Sequence, residues 1–219
     1  MTDVWPYDLL TPRAERARLQ GVAMTGGQSV GGIVRSTRLD GGGLWVIEQE
    51  FFVHSRAQVK AIRAIDAGLD GGSSEIVVRV YETPFMPTGA DASTVPFSDD
   101  STFSDGTEFA SVPVGATLTA SAALRATTLS LTMIVGALEG GERFSIDHAT
   151  KGKRLYTISR VDGDDITIRP PLREAVASGT DLDFTQPGCV CRLSNPDDFL
   201  GALDLNKNLI ATAVWIESF

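Results

Sequence analysis

Residues 154–176 read RLYTISRVDGDDITIRPPLREAV, and this stretch decides the fold class. Tyr156 and Ile158 alternate with polar neighbours, Asp162 and Gly163 form a turn dipeptide, and Ile166 and Ile168 alternate again. That is the period of a half-buried β-hairpin. Its register follows from keeping the four apolar residues on one face. A two-residue loop would set Ile158 opposite Thr167, whereas a loop of odd length sets Ile158 opposite Ile168 and Arg160 opposite Ile166. The pattern therefore predicts a three- or five-residue connection. Pro170 and Pro171 lack the backbone N–H that a ladder needs and end the second strand, and a short helical turn is expected over residues 172–177.

Working outward, residues 44–53 (LWVIEQEFFV) place Trp45, Ile47, Phe51 and Val53 on one strand face and Glu48 and Glu50 on the other. Ser55 with Gln58 three residues later makes a capping box, and Val59, Ile62, Ile65 and Leu69 form a helical stripe that stops at Gly71 and Gly72. Ile76, Val78 and Val80 alternate in a further strand. In the last strand, Leu209, Ala211, Ala213 and Trp215 lie opposite Ile210, Thr212, Val214 and Ile216, so this strand is expected to be central or covered by a partner subunit. Leu129, Leu131, Met133 and Val135 share another strand face. Residues 84–114 are rich in Pro, Thr, Ser, Asp and Gly and are expected to form a long exposed connection with at most one hairpin. The predicted fold is mainly β: a β-sandwich carrying one amphipathic helix, plus a second small β-domain or barrel. The expected division is a sandwich of residues 1–90 and 194–219 with residues 91–193 inserted.

The chain has 219 residues, enough to bury a core without covalent staples, and its 22 glycines and 10 prolines suit many short strands and turns. A net charge of −9 argues against tight nucleic-acid binding, which draws its affinity from Lys and Arg displacing counterions. Two cysteines are too few for a disulfide framework. The opening MTDVWPYDLL has neither a basic region nor a long apolar core, and no apolar run approaches the roughly 20 residues that span a bilayer. Assembly in the cytoplasm, without membrane contact, is expected.

The order GGERFSI, RLYTI, ITIRPPLREAV and CRL is similar to the small β-domain of tailed-bacteriophage tail proteins of the distal-tail and minor-tail class. The resemblance extends to residues 45–69 and to the terminal IATAVWIESF. It implies a structural virion component of the tail, without catalytic motif, that forms a homo-oligomeric, hexameric ring between tail tube and tail tip or baseplate. Other tube and tip proteins would be its partners, and DNA would touch it only in passing. A head-to-tail connector or tail terminator is an alternative within the same class. A carbohydrate- or surface-binding β-sandwich module is an alternative outside it, with Trp5, Tyr7, Phe97, Phe103 and Phe109 as aromatic contacts.

Gly26-Gly27 and Gly31-Gly32 lack the Gly-Lys-Ser/Thr or strand–GxGxxG–helix context of a phosphate loop and read as hairpin turns or bulges. Cys189 and Cys191 point to one face of a strand, poorly placed for a disulfide, and supply two of the four ligands zinc takes. With His54 and His148 far apart in sequence, core packing is the expected role. Asp99, Asp100, Asp105 and Glu108 do not follow the spacing of a calcium loop. No GxSxG elbow accompanies either histidine, so no enzyme activity, metal or cofactor is expected. Residues 5–20 are expected to form a strand of their own chain or an arm packing on a neighbour, with Thr11 a possible helix cap before Pro12. The expected interface residues are Trp5, Tyr7, Trp215 and Phe219. Conditional on the tail resemblance, Asp162, Asp164 and Asp165 are expected to face the lumen, where excess carboxylate keeps DNA from binding.

Overall fold

The strand that begins at Leu44 organises the first half of the structure. The computed structural model describes residues 3–28, 30–32, 34–82, 85–87, 94–95, 109–110, 115–134, 136–204 and 208–219, with 94–95 and 109–110 described through their backbone pairing alone. In chain order the elements are β1 (Asp3–Val4), β2 (Ala14–Gln20), β3 (Ala23–Gln28), β4 (Val34–Arg38), β5 (Leu44–Val53), α1 (Arg56–Gly68), β6 (Ile76–Arg79), β7 (Thr94–Val95) and β8 (Phe109–Ala110). They continue with β9 (Gly115–Leu118), β10 (Thr128–Met133), β11 (Arg143–His148), β12 (Gly152–Asp162), β13 (Asp165–Arg169), β14 (Asp181–Asp183), β15 (Gly188–Leu193) and β16 (Leu209–Glu217).

The chain divides into two units. The first comprises Met1–Tyr81, Asp147–Leu155 and Gly188–Phe219, the second Glu82–Ile146 and Tyr156–Pro187. Two segments expected in the insertion, Asp147–Leu155 and residues 188–193, thus belong to the first unit. For β15 the reason is pairing: it hydrogen-bonds to β6 on one side and β16 on the other.

In the first unit a six-stranded sheet runs β1-β6-β15-β16-β5-β2. All its pairs are antiparallel except β1 with β6. The alternation in β5 and β16 acts as expected: Trp45, Ile47, Phe51 and Val53 join Leu209, Ala211, Ala213 and Trp215 in one core with Val59 and Ile62 of α1. The helix starts where the capping box predicts, with Ser55 accepting from the Gln58 N–H and Gln58 Oε1 accepting from the Ser55 N–H, each at 3.2 Å. It ends at Leu69, followed by a tight turn in which Gly72 has φ 86° and any Cβ would run into the Leu193 carbonyl. β16 is central, as its two apolar faces suggested. Residues 5–20 form neither a helix nor a free arm, because β1 adds to β6 and β2 pairs along β5 from Ala14 to Gln20.

The second unit is built on a closed barrel, β10-β13-β12-β11-β14-β9. Tyr156, Ile158, Ile166 and Ile168 fill it with Leu118, Leu129, Leu131, Phe144 and Phe184, so the four residues of the deciding hairpin do share one buried face. Ile158 does pair with Ile168. The connection, however, has two residues, Gly163 and Asp164, with Gly163 at φ 63° as such a tight hairpin turn requires. The odd residue expected in the loop sits instead in a bulge at Ser159, which brings Arg160 opposite Thr167 and Val161 opposite Ile166. Residues 172–177 form no helical turn: the chain bends at Arg173 and Glu174, and Val176 makes an isolated bridge to Ala122. Among the described residues of the long connection β7 pairs antiparallel with β8, and the rest of that expectation lies outside the described residues. The mainly β class, with one amphipathic helix and a small closed barrel, is as predicted, and the expected sandwich takes the form of a six-stranded sheet with α1 packed against it.

Candidate assembly surface

Two of the four expected interface residues are core. Trp5 is 1% exposed, donates from Nε1 to the Leu10 carbonyl at 2.9 Å, and packs on Phe51 and Trp215 at 4.7 and 5.5 Å between ring centroids. The parallel pairing of β1 with β6 carries it there, through its own N–H to the Val77 carbonyl at 3.0 Å. Trp215 is fully buried, and its Nε1–H reaches Gln49 Oε1 at 3.1 Å. Gln49 shares the apolar face of β5 and is satisfied there by Trp215, by Glu15 at 2.7 Å and by the Arg79 carbonyl at 3.0 Å. A lone polar residue in an alternating apolar series was the signal for this buried network. Tyr7 is half-buried and stacks on Tyr81 at 6.5 Å. Phe219 is exposed, with the Arg154 guanidinium 4.6 Å from its ring centroid.

Cys189 and Cys191 are buried free thiols in the first core. Burial holds the Cys191 thiol well above the ordinary cysteine range, and the neighbouring Cys189 pushes the same way. His148 is buried and His54 is exposed beside Phe52. Among the described residues no group of three or more His, Cys, Asp or Glu is placed to hold a metal ion. Asp99, Asp100, Asp105, Glu108, Phe97 and Phe103 lie outside the described residues, and Phe109 is described only as backbone. Asp162, Asp164 and Asp165 are exposed at the β12–β13 tip, where Arg160 approaches Asp162 at 3.3 Å and Ser130 Oγ donates to Asp165 at 2.5 Å.

The glycine pairs that read as hairpin turns or bulges belong to a hairpin of β3 and β4 whose register shifts between Thr25 and Gln28; what the sequence did not show is that this ribbon is uncovered. It continues the β2–β5 hairpin past Gln20 and Leu44, and every described residue of its two strands is exposed, Met24 to 63% and Val34 to 55%. An isolated two-stranded hairpin is marginal in water, so a ribbon with no covered face is suited to packing on something else. Within residues 21–39 there are two cations, Arg35 and Arg38, and no carboxylate. Neither has an ion-pair partner among the described residues, in contrast to Arg16 and Arg18 of the adjoining strand and Arg13 just before it, which face Glu50 or Glu48 at 2.8–4.0 Å.

A second exposed feature lies at the other end of β5. Phe52 and Ile210, directly paired across β5 and β16, are 45% and 49% exposed. With Ala202, Asp204, Asn208 and Leu209 they line an open groove of about 420 Å³. Asp197 and Asp198 are exposed on the connection that leads into it. No family model matches the chain, and no curated protein matches it.

Proposed function

We propose that this protein is a structural component of a tailed-bacteriophage virion, a distal tail protein forming a ring between the tail tube and the tail tip or baseplate. The observation that carries the reading is the uncovered β3–β4 ribbon, an element of the kind that gains its stability from a neighbouring subunit. The element order that resembles the distal-tail class supports it from the sequence side. The glycan-binding alternative loses its aromatic platform at Trp5, which is enclosed in the core. In a ring of this kind the carboxylates of the β12–β13 tip belong at the DNA path.

Gold-labelled antibody on negatively stained virions tests the reading. Label at the junction of tube and tip is the expected result. Label at the head–tail junction assigns the connector or terminator role instead, and unlabelled particles together with a sugar-dependent rise in Tm assign the binding module.

A further inference from the structure

We infer that the β3–β4 ribbon of one copy docks into the Phe52–Ile210 groove of a second copy of this chain. This deepens the ring reading above and rests on it only for closure of the contact into a ring.

Complementarity selects the pair. The ribbon offers Met24 and Val34 as exposed apolar contacts and Arg35 and Arg38 as cations, with no carboxylate from Gly21 to Leu39. The groove offers Phe52 and Ile210 as an apolar floor and Asp204 at its edge, with Asp197 and Asp198 on the same connection. The chain as a whole carries −9, so the ribbon is a cationic element on an anionic protein, and another copy is an attractive partner for it.

Geometry rules out closure within one subunit. Both features border β5, the ribbon beyond Leu44 and the groove at Phe52. Eight residues of extended strand separate them by roughly 25–30 Å at about 3.3 Å per residue. The ribbon projects away from the strand end it leaves, and its exposed residues show that it does not fold back. Two different patches therefore meet between copies. Such a heterologous contact propagates from subunit to subunit and closes if its rotation permits.

A complementation experiment reads this directly. The ribbon variant is Met24→Glu/Arg35→Glu, and the groove variant is Phe52→Arg, with Ile210→Arg as a replacement should Phe52→Arg lower the Tm. All substituted positions are exposed, so near-parent Tm is expected. By light scattering after sizing at about 100 μM, far above the Kd of a specific interface, the parent is expected to be oligomeric and each variant alone monomeric. Mixed one to one, the intact ribbon of the groove variant meets the intact groove of the ribbon variant, so the mixture is expected to form a heterodimer and stop there. Parent assembly is also expected to weaken between about 0.05 and about 0.5 M salt as the charges are screened.

A monomeric parent, variants that still assemble, or a mixture that stays monomeric would each overturn the inference. So would ribbon-dependent, salt-sensitive binding to duplex DNA without self-association, which would make the ribbon a nucleic-acid contact. Heterodimer formation by a protein that antibody does not find in virions would leave the docking intact and remove the tail assignment alone.

Discussion

Arg154 anchors the end of the last strand. It is 2% exposed, lies 3.6 Å from the fully buried Glu217 carboxylate, and donates to the Lys151 carbonyl at 2.7 Å and to the Ser218 carbonyl. Glu217 in turn accepts the Trp45 N–H at 3.1 Å. Two ions withdrawn from water in this way contribute little net stability as a pair, but removing one exposes the full desolvation cost of the other. Arg154→Leu is expected to cost about 3–5 kcal/mol in urea unfolding, and adding Glu217→Gln should recover part of it; a double variant worse than the single would contradict this account. Glu75 makes a smaller, pH-dependent contribution. The Ser218 hydroxyl donates to it at 2.7 Å and holds its carboxyl below the ordinary 4.5, opposed by partial burial and helped by Arg192 at 3.1 Å. A depressed folded-state value means the stabilisation is present above pH 4.5 and is lost as pH falls below it through the lowered value. Glu75→Gln is therefore expected to flatten the acid limb of a Tm-versus-pH curve and leave its neutral region nearly parallel to the parent's.

At the scale of elements, α1 and the two flanking strands β1 and β2 are what enclose the first core. Ile62 is fully buried beneath the helix. Ile62→Ala should cost roughly 2–5 kcal/mol, the range for deleting a large aliphatic side chain from a packed core, and a loss well under one kcal/mol would show that the helix is only loosely seated. Removing residues 1–20 strips away β1, Trp5 and β2 together. The expected outcome is loss of the cooperative unfolding transition of the first unit and rapid trypsin cleavage. A truncated chain with the parent's Tm would mean that these strands are dispensable decoration. The ribbon stands apart from these elements, since its loss removes no core residue.

For the whole molecule, the net charge of −9 has to be distributed, and the β12–β13 tip is one exposed place where it concentrates. If the tip lines a DNA path, replacing Asp162, Asp164 and Asp165 with Lys turns a repelling wall into a binding one. Each surface change should cost within about half a kcal/mol, although the contacts to Arg160 and Ser130 are lost. Particles carrying the triple variant are expected to assemble and to eject DNA more slowly at low salt, with the defect fading as the Debye length shrinks below about 10 Å. Ejection at the parent rate at every salt concentration would place the tip away from the DNA.

The alternation of residues 45–53 and 209–215, the Ser55–Gln58 box and the stripe ending at Leu69 were all legible because each is a local relation that the backbone period imposes. The same holds for the shared face of Tyr156, Ile158, Ile166 and Ile168. By itself the sequence determined which side chains travel together. It did not determine what covers them. Ser159 shows why: an extra residue in the loop and an extra residue in a bulge satisfy the same facial constraint, and only the closing barrel chooses between them. Trp5 and Trp215 resemble exposed aromatics until a parallel strand and a helix, far apart in the chain, enclose them. Conversely, nothing local marks β3 and β4 as uncovered, because exposure on both faces is the outcome of every other element packing elsewhere. Local periodicity fixes the faces of an element, and long-range pairing, set by the closing of loops across the whole chain, decides which faces meet.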